Sequence, residues 1–300
     1  MIPSLFMIFM PSGAAGNEIL APAPYFAADV LSQCGKWVND HFAFRQEMIT
    51  AWAYLNKALF RTSAEDQVVI GRDGWLYYAK DFGNELSDED MESIASHLAE
   101  IQNEVTGNGA QFIFTIAPDK SGVYPQFLGS EAVHGKPGRK IEPYLEKYGI
   151  NYINLYEMDI PYFKTDSHWT SFGAAKVCDA LVGTGYSSES FDRAGTHRGD
   201  LYEMLFPAGK LEEDDPKCEL SYQTKGFVNG GNAITIETTG SGTGTLYCWR
   251  DSFGVFLYPF LADAFENATF SRSIDYDVSS TGDADVVILE IVERNLSYLK

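Results

Sequence analysis

Two short motifs of this chain hold the residue types that together make a hydroxyl reactive: Asp166-Ser167-His168-Trp169 and Arg250-Asp251-Ser252-Phe253-Gly254. A serine hydroxyl attacks a carbonyl well only when a base takes its proton, and histidine is the usual base near neutral pH. The base needs a carboxylate in turn, to hold its tautomer and to stabilise the imidazolium that forms. Ser252, His168 and Asp166 can fill these three roles, and the chemistry would be acyl transfer through an acyl-serine. Each motif alone has a plainer explanation. Asp251 or Ser252 can simply cap a helix, and His168 can be an ordinary hydrogen-bonded loop residue. Their joint presence carries the catalytic reading, with the base motif 84 residues before the nucleophile.

Other residues are weaker candidates. Lys120, Tyr124, Arg250 and Arg294 follow strand ends and could reach a cleft, where they would bind a sugar hydroxyl or carboxylate. Arg294 could equally pair with an acid, Glu290 and Glu293 being the nearby ones. Trp75 and Trp169 are expected in the core, and His41, His97, His134 and His197 as structural or surface residues. No metal site is expected, because Asp166 and His168 have no evident third ligand. No cofactor is expected either: Gly240–Gly244 lacks the Lys-Ser/Thr of a phosphate loop and reads as a turn. The four cysteines (Cys34, Cys178, Cys218, Cys248) form no CxxC pair, and both two disulfides and free thiols remain open.

These motifs need elements to position them. Residues 36–61 carry apolar side chains at helical spacing, and Arg72-Asp73-Gly74 between apolar runs signals a hairpin. Ser87 before an acidic turn opens a helix to about Val105. Residues 111–118 and 151–156 read as strands around a helix at 140–148. A helix follows the Asp166 motif, and the acidic stretch 212–215 reads as a solvated loop. Two short antiparallel strands are expected near 220–238. Residues 245–250 read as a strand before the Ser252 turn, with a helix after it, and 285–292 as a last buried strand. Strands alternating with helices predict a three-layer α/β domain with a mainly parallel central sheet and added β-hairpins. Active sites in such sheets gather at the carboxyl ends of the strands, where both motifs lie.

Composition narrows the partners. With 42 acidic and 22 basic residues the formal charge is −20, which disfavours nucleic acid as a partner. No run approaches the roughly 20 apolar residues that cross a bilayer. The opening decamer MIPSLFMIFM is apolar and lacks a basic flank. It reads either as the remnant of an anchor or export signal or as an arm packed on the domain. The division expected is 1–24 for this segment and 25–300 for a single domain.

The motifs GRDGWLYY, APDKSGVYP, DSHWTSFGA, Gly199-Asp200-Leu201, RDSFG and VERNL occur here in the order found in the DHHW proteins. Those proteins are similar to alginate O-acetyltransferases of exopolysaccharide biosynthesis, and the resemblance covers roughly residues 18–300. It implies an SGNH-hydrolase-like (flavodoxin-like) fold with the Asp-x-His placed before the serine. It assigns Ser252 as nucleophile, His168 as base and Asp166 as its orienter. It also implies action outside the cytoplasm on a polysaccharide, an N-terminal membrane anchor, and an acyl donor handed over by a membrane-bound O-acyltransferase. An esterase using the same residues and a non-catalytic polysaccharide-binding or assembly protein are the alternatives. Two positions depart from the pattern: Ser167 replaces the first His of the name motif, and Arg250 stands where SGNH enzymes carry Gly.

Overall fold

The computed structural model describes residues 20–128, 136–226 and 231–300, so the apolar decamer and His134 lie outside the described residues. By contacts the chain forms two compact units. The first comprises the chain up to Ala79 with the segments Lys164–Ser167 and His197–Glu213, and the second comprises Lys80–Phe163, His168–Thr196 and Asp214–Lys300.

In the first unit, helices α1 (Val30–Asp40) and α2 (Arg45–Phe60) precede a hairpin of β1 (Val68–Ile70) and β2 (Leu76–Tyr78). The hairpin was legible because Asp73 (φ 53°) and Gly74 (φ 84°) adopt the left-handed backbone that tight hairpin turns require. Lys164–Ser167 lies against it, the Leu76 N–H donating to the Lys164 carbonyl at 2.8 Å. A small core of Ala53, Val68, Leu76, Leu201, Leu205 and Phe206 holds this unit together.

The second unit is a three-layer α/β sandwich. Helix α3 (Asp88–Gly107) starts with a capping box, the Ser87 side chain accepting from the Asp90 N–H and the Asp90 side chain from the Ser87 N–H. The sheet strands are β3 (Gln111–Ala117), β4 (Tyr152–Ile153), β5 (Gln223–Lys225), β6 (Thr235–Thr239), β7 (Thr245–Trp249), β8 (Asn267–Ser271) and β9 (Val286–Val292). Helix α4 (Ser171–Val182) follows β4, and α5 (Gly254–Ala264) joins β7 to β8. The order across the sheet is β4-β3-β9-β7-β8-β6-β5. The first five strands are parallel and the last two antiparallel.

Alternation along β9 explains the layers. Val287, Leu289 and Ile291 face the core under α3, while Ile288 and Val292 face the core under α4 and α5. Trp169 is fully buried and Trp75 nearly so, as expected. Three details differ from the sequence expectations. The strand expected at 151–156 has only Tyr152–Ile153 in the ladder, because it is an edge strand with few partners. The helix expected at 140–148 is two short pieces, Pro137–Lys140 and Glu142–Lys147. Strand β8 escaped notice because its sequence, NATFS, is short and half polar, yet Ala268, Phe270 and Ser271 are buried.

Among the described residues no helix is long and apolar enough to cross a membrane. All four cysteines are free thiols. Burial raises the thiol pKa of Cys178, Cys218 and Cys248, which keeps them protonated and unreactive near neutral pH.

Candidate active site

Strand register sets one edge of the second unit. In the parallel ladder Val292 pairs with Ala117 and Leu289 with Trp249. The segments leaving β3, β7 and β9 therefore emerge together, carrying Asp119 and Lys120, Arg250 to Ser252, and Glu293 and Arg294.

The Ser252 turn is tied into that edge by Asp251. Its Oδ1 accepts the Phe253 N–H at 2.9 Å, its Oδ2 accepts the Val292 N–H at 2.7 Å, and its own N–H donates to Glu290 Oε2 at 3.2 Å. Burial, reinforced by the Asp251 charge, raises the Glu290 pKa well above the usual carboxylate range. Asp251 thus fastens the turn and fixes Ser252 two residues before α5, whose N-cap position is Phe253. The Ser252 carbonyl accepts the Val255 N–H at 3.1 Å, and the serine itself is half-buried. A hydroxyl here sits at the positive end of an 11-residue helix, where a developing anion is favoured.

Phe253 gathers the surrounding groups. It is fully buried, with the His168 ring 4.7 Å away, Trp169 edge-on at 4.9 Å and Tyr162 at 6.0 Å. The Arg294 guanidinium lies 5.5 Å from the ring centroid. The second unit thus brings the His168 imidazole against the residue that follows Ser252.

The four weaker candidates are buried or bonded within the second unit. Arg294 pairs with Asp119 (2.6 Å) and Asp81 (3.2 Å). Burial works against its charge, but those two carboxylates outweigh it and raise the pKa. Burial pushes Asp81 up to about 6 against the pull of Arg294. It pushes Glu293 up to about 7, helped by the charge of Asp119. The Glu293 carboxylate accepts the backbone N–H groups of Asp119 and Gly138, each at 3.1 Å. Lys120 is fully buried, and the Tyr124 hydroxyl donates to the Ile160 carbonyl at 3.0 Å. Arg250 is nearly buried and donates to the carbonyls of Gly231 (2.6 Å), Ala233 (3.1 Å) and Asp251 (3.2 Å). Its stem also explains Gly254, since a Cβ there would lie 2.4 Å from Arg250 Cδ.

In the first unit, Asp166 is almost fully buried, at 2% exposure. Its Oδ2 accepts from His197 Nε2 at 2.6 Å and from the Asp200 N–H at 2.9 Å. An ionised carboxylate only accepts, so the His197 tautomer in this contact carries its proton on Nε2. The Asp200 carboxylate is held in turn by the Ser167 N–H (2.8 Å) and Oγ (2.7 Å). Glu213 accepts the N–H groups of Lys164 and Thr165, both at 2.8 Å. The Tyr202 N–H donates to the Thr165 carbonyl at 3.0 Å, and a Cβ on Gly199 would stand 2.2 Å from that oxygen.

The acidic stretch read as a solvated loop is therefore structural in part. Glu213 pins the segment before Asp166, while Asp215, in the second unit, is buried and accepts the Ser171 N–H at 3.0 Å at the start of α4. His197 and Glu213 were missed as site residues because each lies more than 30 positions from Asp166. The one sequence signal close to His197 was Gly199-Asp200-Leu201.

Residues 68–198 match the family described as SGNH hydrolase-like domain, acetyltransferase AlgX, a stretch that holds Asp166 and His168 and stops short of Ser252. Among curated proteins, a probable alginate O-acetylase AlgJ from Pseudomonas aeruginosa is 27% identical over 188 residues, which are 56% of this chain and 48% of that protein. The AlgJ of Pseudomonas syringae pv. tomato is 28% identical over 49% of this chain and 42% of that protein. The chain thus spans about half the length of the curated relatives it matches. Among solved structures, the O-acetyltransferase domain of Pseudomonas putida AlgJ superposes with TM-score 0.53 at 18% identity, covering 77% of this chain and 92% of that one. Bacillus cereus PatB1 superposes with TM-score 0.56 at 16% identity, covering 78% and 98%. A DHHW family protein from Eubacterium siraeum gives TM-score 0.52 at 16% identity, covering 77% and 95%. The chain is an α/β protein whose fold is similar to that of these solved structures, and its residues 68–198 are similar to the family described as SGNH hydrolase-like domain, acetyltransferase AlgX.

Proposed function

We propose that this protein is an O-acetyltransferase acting outside the cytoplasm on a cell-surface or secreted polysaccharide. The observation that carries the reading is the placement of Ser252 at the start of α5 with the His168 ring against its neighbour Phe253. Its similarity to proteins named alginate O-acetylase supports acetyl as the group transferred.

In this mechanism His168 takes the Ser252 Oγ proton as Oγ bonds to the acetyl carbonyl carbon, and the donor's leaving group departs with that proton. A sugar hydroxyl then gives its proton to His168 and attacks the acetyl-serine. The ester passes to the sugar, and the proton returns to Oγ. Asp166 holds the His168 tautomer. The α5 N-terminus favours the oxyanion of each tetrahedral intermediate. The donor is presented by a membrane-bound O-acyltransferase, and an N-terminal segment keeps the protein near it.

The test is an assay with p-nitrophenyl acetate and a soluble acidic oligosaccharide, using wild type and Ser252→Ala. Acetylated oligosaccharide from the wild type alone supports the transferase. Acetate with no acetylated sugar makes the protein an esterase, and equal turnover by both removes Ser252 from the chemistry.

A further inference from the structure

The residue that fixes Asp166 in the first unit is His197, read from sequence as merely structural or superficial. We propose that His197 is a positioning residue of the acyl-transfer site. Its Nε2–H sets the orientation of the Asp166 carboxylate, and Asp200 completes the clamp. This rests on the reading of Ser252, His168 and Asp166 as the reacting triad.

The geometry favours this role over that of an incidental staple. Asp166 is buried, and a buried carboxylate needs donors to stay ionised and in one orientation. Both donors named above, His197 Nε2 and the Asp200 N–H, converge on the same oxygen, Oδ2. These two bonds fix the position of Oδ2. The second donor is itself anchored, because Ser167, the residue between Asp166 and His168, grips the Asp200 carboxylate with its N–H and its hydroxyl. Asp166 and Ser167 thus each bind the 197–200 segment twice, so a shift of that segment turns the carboxylate two residues before the base. Gly199 permits the approach, since any side chain there would strike the Thr165 carbonyl. Ser167 also gains a purpose as a departure from the name motif: its short hydroxyl reaches Asp200 at 2.7 Å.

His197 has a side chain 26% exposed, so a small molecule from solvent can enter the space it leaves. That permits a test that separates positioning from folding. Turnover of p-nitrophenyl acetate is measured for wild type, His197→Gly, His197→Gln and Ser252→Ala, with added imidazole as the probe. The expected result is a kcat about 10- to 100-fold lower in His197→Gly with KM within about twofold, because a small misplacement of a catalytic group costs that much. Imidazole restores most of this loss, and His197→Gln, which keeps an N–H donor at a similar reach, loses little. Wild-type turnover by His197→Gly overturns the proposal, as does a loss that neither imidazole nor the Gln variant relieves. Ser252→Ala separates the two levels. If it is inactive while His197→Gly is unaffected, only the clamp fails; if it is fully active, the triad reading fails and takes the clamp with it.

Discussion

The Ser252 turn and the Asp166 segment are both immobilised, but by different kinds of partner. Ser252 stands between a strand and a helix, and Asp251 fastens the turn to Val292 and Glu290 on the adjacent strand β9. Asp166 lies in an irregular segment fastened by another irregular segment, through His197, Asp200 and Glu213. Sheet register positions a residue as a consequence of the fold. A loop-to-loop clamp positions one only as long as each side chain in it is kept. The Ser252 turn thus hangs on one side chain bonded into the sheet, whereas the Asp166 segment depends on several side chains from another loop.

The largest structural effect is expected where one side chain joins turn to sheet. Asp251→Ala leaves the Val292 and Phe253 N–H groups without their acceptor, and the loss of these charge-assisted bonds is expected to cost about 3 kcal/mol in thermal or urea unfolding. A change below about 1 kcal/mol would mean that strand pairing alone holds the turn.

The sheet edge beside the turn also carries a pH dependence. Glu293 is held near 7 in the folded protein against an ordinary value of 4.5, so the folded state binds this proton more tightly than the unfolded state. Its contribution is fully present below pH 4.5 and is lost as pH rises towards 7, an effect of about 3 kcal/mol at most. Asp81, raised to about 6, acts in the same direction. Melting temperature followed from pH 5 to 8 should therefore fall more steeply in wild type than in Glu293→Gln. Parallel curves would show that Glu293 does not hold the proton.

The two motif glycines sharpen the comparison at smaller magnitude. Gly199→Ala places a methyl group 2.2 Å from a backbone oxygen, which cannot move cheaply, and is expected to cost about 2 kcal/mol. Gly254→Ala places its methyl group 2.4 Å from Cδ and 2.6 Å from Cβ of the buried Arg250 side chain, and is expected to cost about 2 kcal/mol as well. Urea unfolding of both variants checks this, and a cost below about 0.5 kcal/mol at either position would mean that its contact relaxes.

This contrast also explains what could be read from the sequence. The turn at Ser252 was legible because a strand, an Asp-Ser pair and a helix follow one another locally, and local order fixes where the serine lies. The layered sheet was legible through apolar runs such as Val286–Val292, buried on both faces. The clamp on Asp166 was not, since hydrogen bonds between loops have no period and join residues up to 49 positions apart. The partners of Arg294 were hidden for a similar reason. Asp119 and Asp81 precede it by 175 and 213 residues, and only the parallel pairing of β3 with β9 brings Asp119 to its side. Short strands such as Asn267–Ser271 gave too few residues for alternation to register.

The most direct test of the central claim is to trap the acyl-enzyme. Wild type and Ser252→Ala are mixed with p-nitrophenyl acetate, quenched in acid within the first turnovers, digested and mapped by mass spectrometry. One acetyl group on the peptide containing Ser252, absent from the variant, is the predicted result. Acetylation of another residue, or an equal pattern in both proteins, would contradict the assignment of Ser252 as the nucleophile.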